Sequence, residues 1–446
     1  MSFVTALSCR ECGRTFPLEA LNACDYCFGP LEATYDYEAI AAAPIRAQIT
    51  SGPPTIWRYR ALLPVDDVRP VELGAGWTPL VRAERLAAEL GLGELWLKDD
   101  TVNPTGSFKD RVVSVALTKA RQLGFKVAAC ASTGNLAASV AAHAARAGMG
   151  SVVLVPRDLE RAKLAMAAVY GATVVAVDGN YDDVNRLCAE LAAEHGSWAF
   201  ANVNLRAYYA EGSKTLAFEI AEQLGWRAPD HVIVPVASGS QLTKVAKGFA
   251  ELRAVGLLGG GGGGGGDGGG GGRGDGGGGG RGDAAGAGAP GAPGVRISGA
   301  QAEGCAPVAT AFARGADDVV PVRPSTIARS LAIGDPADGY YALKTVHLSG
   351  GAVGSVSDPE ILDAIGLLAR TEGIFAETAG GVTIATLAKL AAAGVVRRDE
   401  RVVAIVSGHG LKTVEALGET AGPAVTVAPT LRAFEAAVGD DGEVLR

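Results

Sequence analysis

Leu97 to Arg111 reads LKDDTVNPTGSFKDR, and this stretch decides the fold because it joins an apolar segment to a helix through a polar turn. Its Asn-Pro and Thr-Gly pairs mark the turn, and Ser107 is placed to cap the helix that follows. Lys109 falls in the first turn of that helix, where backbone N–H groups favour anions over cations. Lys109 is therefore either an exposed surface lysine or a functional amine, with a lowered pKa or bound covalently as a Schiff base.

Outward from this stretch, short β-branched runs alternate with alanine-rich segments of helical periodicity. The predicted strands are Glu94–Lys98, Val127–Ala131, Ser151–Val155, Thr173–Val177, Val232–Val236, Val295–Ser298 and Arg401–Val406. The predicted helices are Phe108–Leu123, Leu136–Ala147, Ala162–Tyr170, Asp183–His195 and Leu242–Val255. Alternating strands and helices predict an α/β protein with parallel sheets covered on both faces, whose ligands bind at the carboxyl ends of the strands.

Three further strand-to-helix junctions are rich in small polar residues. Ser132, Thr133 and Asn135 begin one helix, and the loop 237–241 precedes another, so both junctions could bind an anion through backbone N–H groups. Ser407 ends the strand of the third junction, RVVAIVSGHGLK. Taken one at a time, each of them is equally well explained as an ordinary tight turn.

The first 38 residues carry four cysteines as two C-x2-C pairs, Cys9 with Cys12 and Cys24 with Cys27, separated by eleven residues. Two such pairs supply the four thiolates of a tetrahedral structural zinc site, the alternative being reduced cysteines without a metal. Two arginines against six acidic residues give this segment a net charge of −4, which disfavours phosphate binding. The pattern predicts a structural zinc-ribbon-like module.

The composition narrows the class of protein. The formal net charge of −8 disfavours general nucleic-acid binding. No apolar run approaches the ~20 residues that span a bilayer, and the N-terminus lacks the pattern of a secretory signal. The expectation is a cytoplasmic protein that binds neither nucleic acid nor a membrane.

Glycine is concentrated in one place. The chain has 63 glycines, and 20 of the 24 residues from Gly259 to Gly282 are glycine. We predict that residues 259–289 form a disordered insertion in a surface loop, which costs a fold little.

Taken together, the motifs resemble the fold type II pyridoxal-phosphate enzymes, of the tryptophan synthase β-like family, and among them the threonine synthase family. The matching segments are LKDDTVNPTGSFKDR, ASTGNLAASVAAHAARAG, YAEGSKTLAFEIAEQL, IARSLAIGDPADG, EGIFAETAGG and SGHGLK. The resemblance implies two parallel-sheet α/β domains behind the zinc-ribbon-like module. The implied division is module 1–38, large domain 39–110 and 205–446, and small domain 111–204.

The resemblance also implies the roles of the cofactor-binding residues. Lys109 would bind pyridoxal 5'-phosphate covalently, Phe108 would pack near its ring, and Asn135 would bind the ring hydroxyl oxygen. The cofactor phosphate would lie in the loop Ala237, Ser238, Gly239, Ser240 and Gln241. Ser407 would face the pyridine nitrogen, where the family usually has threonine.

The implied reaction is γ-elimination of phosphate from O-phospho-L-homoserine and addition of water at the β carbon, which gives L-threonine and phosphate. Ser132, Thr133 and Asn135 suit the substrate carboxylate by resemblance, and Arg206, Lys163 and Lys214 are the candidates for its phosphate. The family's usual substrate-binding segment is Asn-Pro-x-Arg-x-Glu-Gly. The corresponding residues 204–212 of this chain read NLRAYYAEG, in which the arginine is shifted. A serine/threonine dehydratase or a cysteate synthase is therefore the alternative, and a homodimer is the family expectation.

Overall fold

The computed structural model describes residues 2–132, 134–259, 294–423 and 425–438. Two predictions concern positions beyond these ranges, namely Thr133 and the glycine-rich insertion from residue 260 to residue 289.

The described residues form thirteen β-strands. They are β1 Val4–Cys9, β2 Thr15–Phe16, β3 Leu31–Tyr35, β4 Leu80–Arg82, β5 Glu94–Asp99, β6 Val127–Ala131, β7 Gly150–Pro156, β8 Thr173–Val177, β9 Trp198–Phe200, β10 His231–Pro235, β11 Arg296–Ala302, β12 Val353–Val356 and β13 Arg401–Val406.

Fifteen α-helices and five 3-10 helices surround these strands in the described part of the chain. The α-helices are α1 Tyr37–Ala42, α2 Ile45–Thr50, α3 Glu84–Glu89, α4 Lys109–Gln122, α5 Asn135–Ala147, α6 Arg161–Val169, α7 Tyr181–Glu194, α8 Arg206–Glu211, α9 Lys214–Gln223, α10 Ser240–Ala254, α11 Pro307–Arg314, α12 Gly339–Ser349, α13 Asp358–Glu372, α14 Thr378–Ala392 and α15 Leu431–Val438. The 3-10 helices are Ile56–Leu62, Asp100–Val102, Arg329–Leu331, Gly410–Lys412 and Val414–Ala421. None of the helices in these ranges is long and apolar enough to cross a membrane.

The larger sheet has six strands in the order β12-β11-β10-β13-β5-β4. All neighbours are parallel except β4, which runs antiparallel to β5 at one edge. β10 and β13 lie in the middle, and their apolar side chains are buried on both faces, as expected of a parallel sheet covered by helices.

The smaller sheet has four parallel strands in the order β8-β7-β6-β9. It lies between residues 127 and 200, within the range predicted for the small domain. Helix α5 follows β6 and is buried along most of its alanine-rich length, because small side chains let the helix pack closely.

The N-terminal module is a three-stranded antiparallel sheet in the order β2-β1-β3. Its apolar face does not form a separate core, since Leu7, Leu31 and Ala33 belong to the same buried cluster as Leu216 and Val245 of the main body. The module is therefore packed onto the main body through a continuous apolar interface.

The predicted elements agree with the structure to within a few residues, and the prediction of an α/β fold is confirmed. Strands β6, β8 and β13 have the predicted boundaries. The short strands β4, β9 and β12 add to the predicted set, because three or four residues are too few to show a periodic pattern.

Candidate active site

The polar junctions of the sequence meet in one cleft, formed by the segments that follow β5, β6, β10 and β13. The cleft is open to solvent, and the space between its lining residues, including solvent at its mouth, is about 1190 Å³. Eleven residues singled out from the sequence line it, namely Phe108, Lys109, Ser132, Asn135, Arg206, Ala237, Ser238, Gly239, Ser240, Gln241 and Ser407. The parallel arrangement explains part of this meeting, since β10, β13 and β5 are neighbours whose carboxyl ends lie at one edge of the larger sheet, whereas β6 belongs to the smaller sheet.

Lys109 is the first residue of α4, and its Nζ donates a hydrogen bond of 3.1 Å to the Tyr209 hydroxyl. The ammonium also lies 4.5 Å from the centre of the Phe108 ring. Burial lowers the pKa of Lys109 to about 8, although Glu377 acts in the opposite direction. About a tenth of this amine is therefore neutral, and nucleophilic, at pH 7, far more than of an ordinary lysine.

The residues after Lys109 fix the start of α4. Asp110 accepts hydrogen bonds from the backbone N–H and the hydroxyl of Thr105, at 2.7 and 2.8 Å. Arg111 is fully buried and donates to Asp100 and Glu219. These buried contacts hold the polar turn against the helix and so direct the lysine into the cleft.

The loop between β10 and α10 is shaped by Gly239, which has a φ of +92°. A Cβ at this position would lie 2.6 Å from the carbonyl oxygen of Asp338, so both conformation and space require glycine. Gln241, in the first turn of α10, is 9% exposed, and its Nε2 has no partner among the described residues. The helix end and this amide thus present unused hydrogen-bond donors to the cleft.

Asn135, at the start of α5, connects two buried charged residues. Its Nδ2 donates to the carboxylate oxygens of Glu377 at 2.8 and 2.9 Å, and its Oδ1 accepts from Lys412 Nζ at 3.0 Å. Burial lowers the pKa of Lys412 to about 8, against the opposing effect of Glu377. Ser407 lies beside this group, and its carbonyl oxygen accepts from the backbone N–H of Phe108 at 2.9 Å.

The three cations considered for substrate phosphate lie in different surroundings. Arg206, at the start of α8, lines the cleft, and its Nη2 donates to Asp338 Oδ2 at 2.7 Å. Lys163 packs its side chain over Gly134 and pairs with Glu160 at 3.2 Å, so it lies next to the cleft but outside its lining. Lys109 and Arg206 are the two cationic residues among the described residues that line the cleft.

Lys214 lies away from the cleft, in a buried group that we call the ionic cluster. The ionic cluster consists of Glu32, Glu211, Lys214, Lys244, Lys247 and Glu251. Lys214 Nζ lies 2.6 Å from Glu211 and 2.8 Å from Glu251. The expectation that Lys214 binds substrate phosphate is not supported, because its charge is already paired with two carboxylates.

Comparison with known proteins agrees with this geometry. A family described as pyridoxal-phosphate dependent enzyme matches residues 71–259 and 269–408. Threonine synthase of Methanocaldococcus jannaschii is 39% identical over 411 residues, which is 92% of this chain and 93% of that protein. Threonine synthase of Mycobacterium tuberculosis is 38% identical over 363 residues, or 81% of this chain and 89% of the relative.

The chain belongs to the threonine synthase family of pyridoxal-phosphate-dependent enzymes. It is accordingly a pyridoxal-phosphate-dependent lyase. Among solved structures, the processed threonine deaminase isoform 2 of Solanum lycopersicum has a TM-score of 0.59 at 20% identity and covers 87% of this chain and 93% of its own. At that identity the likeness concerns the fold alone.

The cleft residues fit the cofactor of this threonine synthase family. A half-buried amine with a lowered pKa can bind an aldehyde, and the start of α10 with its close-packed Gly239 is suited to a phosphate group. The unpartnered Gln241 amide gives a further donor at the same place. A buried amide without a partner among the described residues is expected where a ligand completes the contacts.

The four N-terminal cysteines are brought together as predicted. Their Sγ atoms all lie within 4.8 Å of one another, with Cys9 and Cys27 at 3.4 Å and Cys12 and Cys24 at 3.7 Å. Four thiolates around a zinc ion, each about 2.3 Å from it, would lie roughly 3.8 Å apart. All seven cysteines are free, so these four thiols are available to a metal.

Sequence reasoning missed three polar residues of the site. Tyr209 contacts Lys109, Glu377 lines the cleft, and Lys412 binds Asn135. All three fall inside segments quoted for the family resemblance, which was the available signal. Neither their spacing nor their residue type distinguishes them from packing residues in a single sequence.

Proposed function

We propose that this enzyme is a threonine synthase that converts O-phospho-L-homoserine and water to L-threonine and inorganic phosphate. The observation that carries the proposal is the pair of cations in one cleft, since Lys109 is suited to the cofactor and leaves Arg206 for a second anionic group. The relatives named threonine synthase support the same substrate.

In the proposed complex, Lys109 would hold pyridoxal phosphate, and Phe108 would pack near its ring. The loop Ala237–Gln241 and the start of α10 would bind the cofactor phosphate, and Ser407 would present its hydroxyl to the pyridine nitrogen. Asn135 would bind the ring hydroxyl oxygen, and its amide is held in place by Glu377 and Lys412. When bound, the cofactor supplies the electron sink that stabilises negative charge next to the substrate α carbon.

Lys109 has the second task of moving protons. With its amine free and neutral, Lys109 would be placed to take the proton from the substrate α carbon. Its pKa of about 8 suits both uptake and release of a proton near neutral pH. The Tyr209 hydroxyl at 3.1 Å restricts where the amine can point.

Two groups orient the substrate. Arg206 binds the substrate phosphate through the N–H groups that Asp338 does not use, and it stays charged because Asp338 outweighs the effect of burial and raises its pKa. Ser132 binds the carboxylate with its hydroxyl hydrogen, since its oxygen already accepts the backbone N–H groups of Gly134 and Ala137. Thr133 remains a second proposed ligand of the carboxylate.

We also propose that Cys9, Cys12, Cys24 and Cys27 bind one structural zinc ion. Metal analysis of the purified protein by mass spectrometry should give one zinc per chain, and replacing Cys12 with serine should lower that figure. A wild-type protein without stoichiometric zinc would contradict this proposal. The homodimer and the cytoplasmic location stay predictions.

The substrate is tested by incubating the cofactor-loaded enzyme with O-phospho-L-homoserine, O-phospho-L-serine or L-threonine. We expect equal amounts of phosphate and L-threonine from the first compound only. Ammonia and a keto acid from L-threonine would indicate a dehydratase instead. Phosphate release from O-phospho-L-serine would indicate a β-replacement enzyme such as cysteate synthase.

A further inference from the structure

Asp338 contacts both Arg206, which lines the cleft, and the loop 237–241, which we propose binds the cofactor phosphate. It directly precedes α12, and its backbone N–H donates to the Ser238 carbonyl oxygen at 2.8 Å. Its own carbonyl oxygen lies where a side chain on Gly239 would point. The side chain of Asp338 is only 8% exposed, so its carboxylate has a fixed place next to the loop.

Two arginines from distant parts of the chain share this carboxylate. Arg206 of the cleft binds Oδ2 at 2.7 Å, and Arg10 approaches Oδ1 at 3.5 Å. Arg10 lies between Cys9 and Cys12, so the carboxylate connects the cysteine module to the cleft. The contact between Arg10 and Asp338 joins residues more than 300 positions apart, and the sequence alone does not predict it.

Arg10 is held firmly by its own surroundings. Its guanidinium carbon lies 3.7 Å from the centre of the Tyr341 ring, and the Tyr341 hydroxyl donates to the neighbouring Glu11. The backbone N–H of Arg10 donates to the Pro30 carbonyl oxygen at 3.1 Å. The cysteine module thus contacts the first turn of α12, the helix that follows Asp338.

The sharing of one carboxylate has an electrostatic consequence. With Arg10 present, its positive potential offsets part of the negative potential of Asp338 next to Arg206. Without Arg10, the negative potential of Asp338 is opposed by Arg206 alone, which weakens the attraction of this site for a second anion. We propose that Arg10 is a positioning residue that sets how strongly Arg206 binds the substrate phosphate, an inference that rests on the proposed function.

Removal of Arg10 should not detach the module, because other contacts dock it independently. Lys247 Nζ donates to the Ala33 carbonyl oxygen at 2.8 Å and lies 3.3 Å from Glu32. The Tyr35 hydroxyl donates to Glu211 at 2.8 Å. These contacts and the shared apolar core remain in an Arg10 variant.

The test compares Arg10→Gln with Arg14→Gln in the cofactor-loaded, full-length enzyme. Arg14 belongs to the same module but stacks on Tyr26, 3.8 Å from its ring centre, and is the matched control. Inorganic phosphate and L-threonine are the two probes, and their dissociation constants are read from the absorbance of the bound cofactor. This measurement needs no turnover, so it is separate from the test of the proposed reaction.

For Arg10→Gln we expect the dissociation constant of phosphate, and KM for O-phospho-L-homoserine, to rise about fivefold. The dissociation constant of L-threonine should change by less than about twofold, because L-threonine carries no phosphate, and kcat should change less than KM. Arg10→Lys, which keeps the charge, should restore most of the phosphate affinity. Arg14→Gln should behave as the wild type.

Several outcomes would overturn the inference. They are unchanged phosphate affinity in Arg10→Gln, no measurable phosphate binding by the wild type, or an equal loss for L-threonine, which would indicate general damage. The same loss in Arg14→Gln would also refute it. Zinc content measured for each variant verifies that the cysteine site is intact, and a lowered content in Arg10→Gln alone would attribute the effect to the metal site instead.

Discussion

The cleft and the ionic cluster both bury lysines, but they surround them differently. Lys109 in the cleft has the Tyr209 hydroxyl as its hydrogen-bond partner, at 3.1 Å. Lys247 in the cluster lies 3.0 Å from Glu211, 3.3 Å from Glu32 and 3.9 Å from Glu251. Burial alone lowers the pKa of Lys109, whereas at Lys247 these carboxylates outweigh burial and raise it.

This difference distinguishes the amine that we propose to be reactive from lysines that form structural ion pairs. A buried lysine surrounded by carboxylates keeps its proton and holds segments together, while one with a neutral partner gives up its proton readily. Nearby carboxylates do not always outweigh burial. At Lys244, burial lowers the pKa although Glu211 and Glu32 act in the opposite direction. Lys109 and Lys244 both have a lowered pKa, and they differ in position, because Lys109 lines the cleft and Lys244 does not.

The largest effect should come from Lys109→Ala, which tests the reactive side of the comparison. We expect turnover to fall by at least about 10³-fold, and the absorbance of the covalently bound cofactor to disappear. The free energy of unfolding of the cofactor-free protein should change by less than about 1 kcal/mol, since no ion pair is lost. Exposed Lys126→Ala is the control, and full activity in Lys109→Ala would refute the assignment.

Glu211→Gln tests the structural side. This substitution leaves three buried lysines with fewer negative partners, so the free energy of unfolding should fall by about 3 kcal/mol. Denaturant titration measures the change, and turnover should fall much less than in Lys109→Ala. Asp178→Asn removes an exposed ion pair with Arg157 and should cost less than about 1 kcal/mol. Equal losses of stability in Glu211→Gln and Asp178→Asn would show that the ionic cluster contributes no more to stability than an exposed ion pair.

Arg206→Gln sharpens the comparison within the cleft. Loss of a charged hydrogen-bond donor to phosphate should raise KM for O-phospho-L-homoserine roughly 30-fold, with a smaller effect on kcat. Steady-state kinetics measures both constants. Arg329→Gln is the matched control, because Arg329 precedes the cleft residue Ser330 but pairs with exposed Asp158. An unchanged KM in Arg206→Gln would show that another group binds the phosphate.

The smallest effect concerns pH and compares the two lysines directly. In cofactor-free protein, the reaction of Lys109 with an acylating reagent requires the neutral amine, whose fraction rises as pH passes the pKa of about 8. Its labelling rate, followed by peptide mass spectrometry, should rise about fivefold between pH 7 and pH 8. Lys247 should remain unlabelled in this range because its pKa is raised. An amine with the ordinary lysine pKa of about 10.4 would instead give a tenfold rise, and a tenfold rise at Lys109 would contradict the lowered pKa.

Much of the fold and of the cofactor site could be predicted from local patterns. The runs at β6 and β13 and the helix after Ser107 are continuous in the chain, so their periodicity shows in one sequence. The paired cysteines of the N-terminus are equally local. A cation at a helix start made Lys109 unusual, and its role with the cofactor was implied only by the resemblance to the threonine synthase family.

The ion pairs could not be predicted in the same way. Lys163, Lys214 and Arg206 are three cations with similar sequence surroundings, yet one contacts Glu160, one is enclosed by Glu211 and Glu251, and one lines the cleft. Their partners are set by how helices pack, which a single sequence does not show.

The sequence by itself thus determined which segments become strands and helices, which lysine begins the helix after the polar turn and which cysteines cluster, because neighbours along the chain decide those properties. Only the tertiary structure decided which charges face each other, including the two arginines on Asp338 and the carboxylates around Lys247. The physical reason is that the pKa and the role of a buried charge depend on burial and on groups within a few ångströms. In this protein most of those groups come from distant parts of the chain.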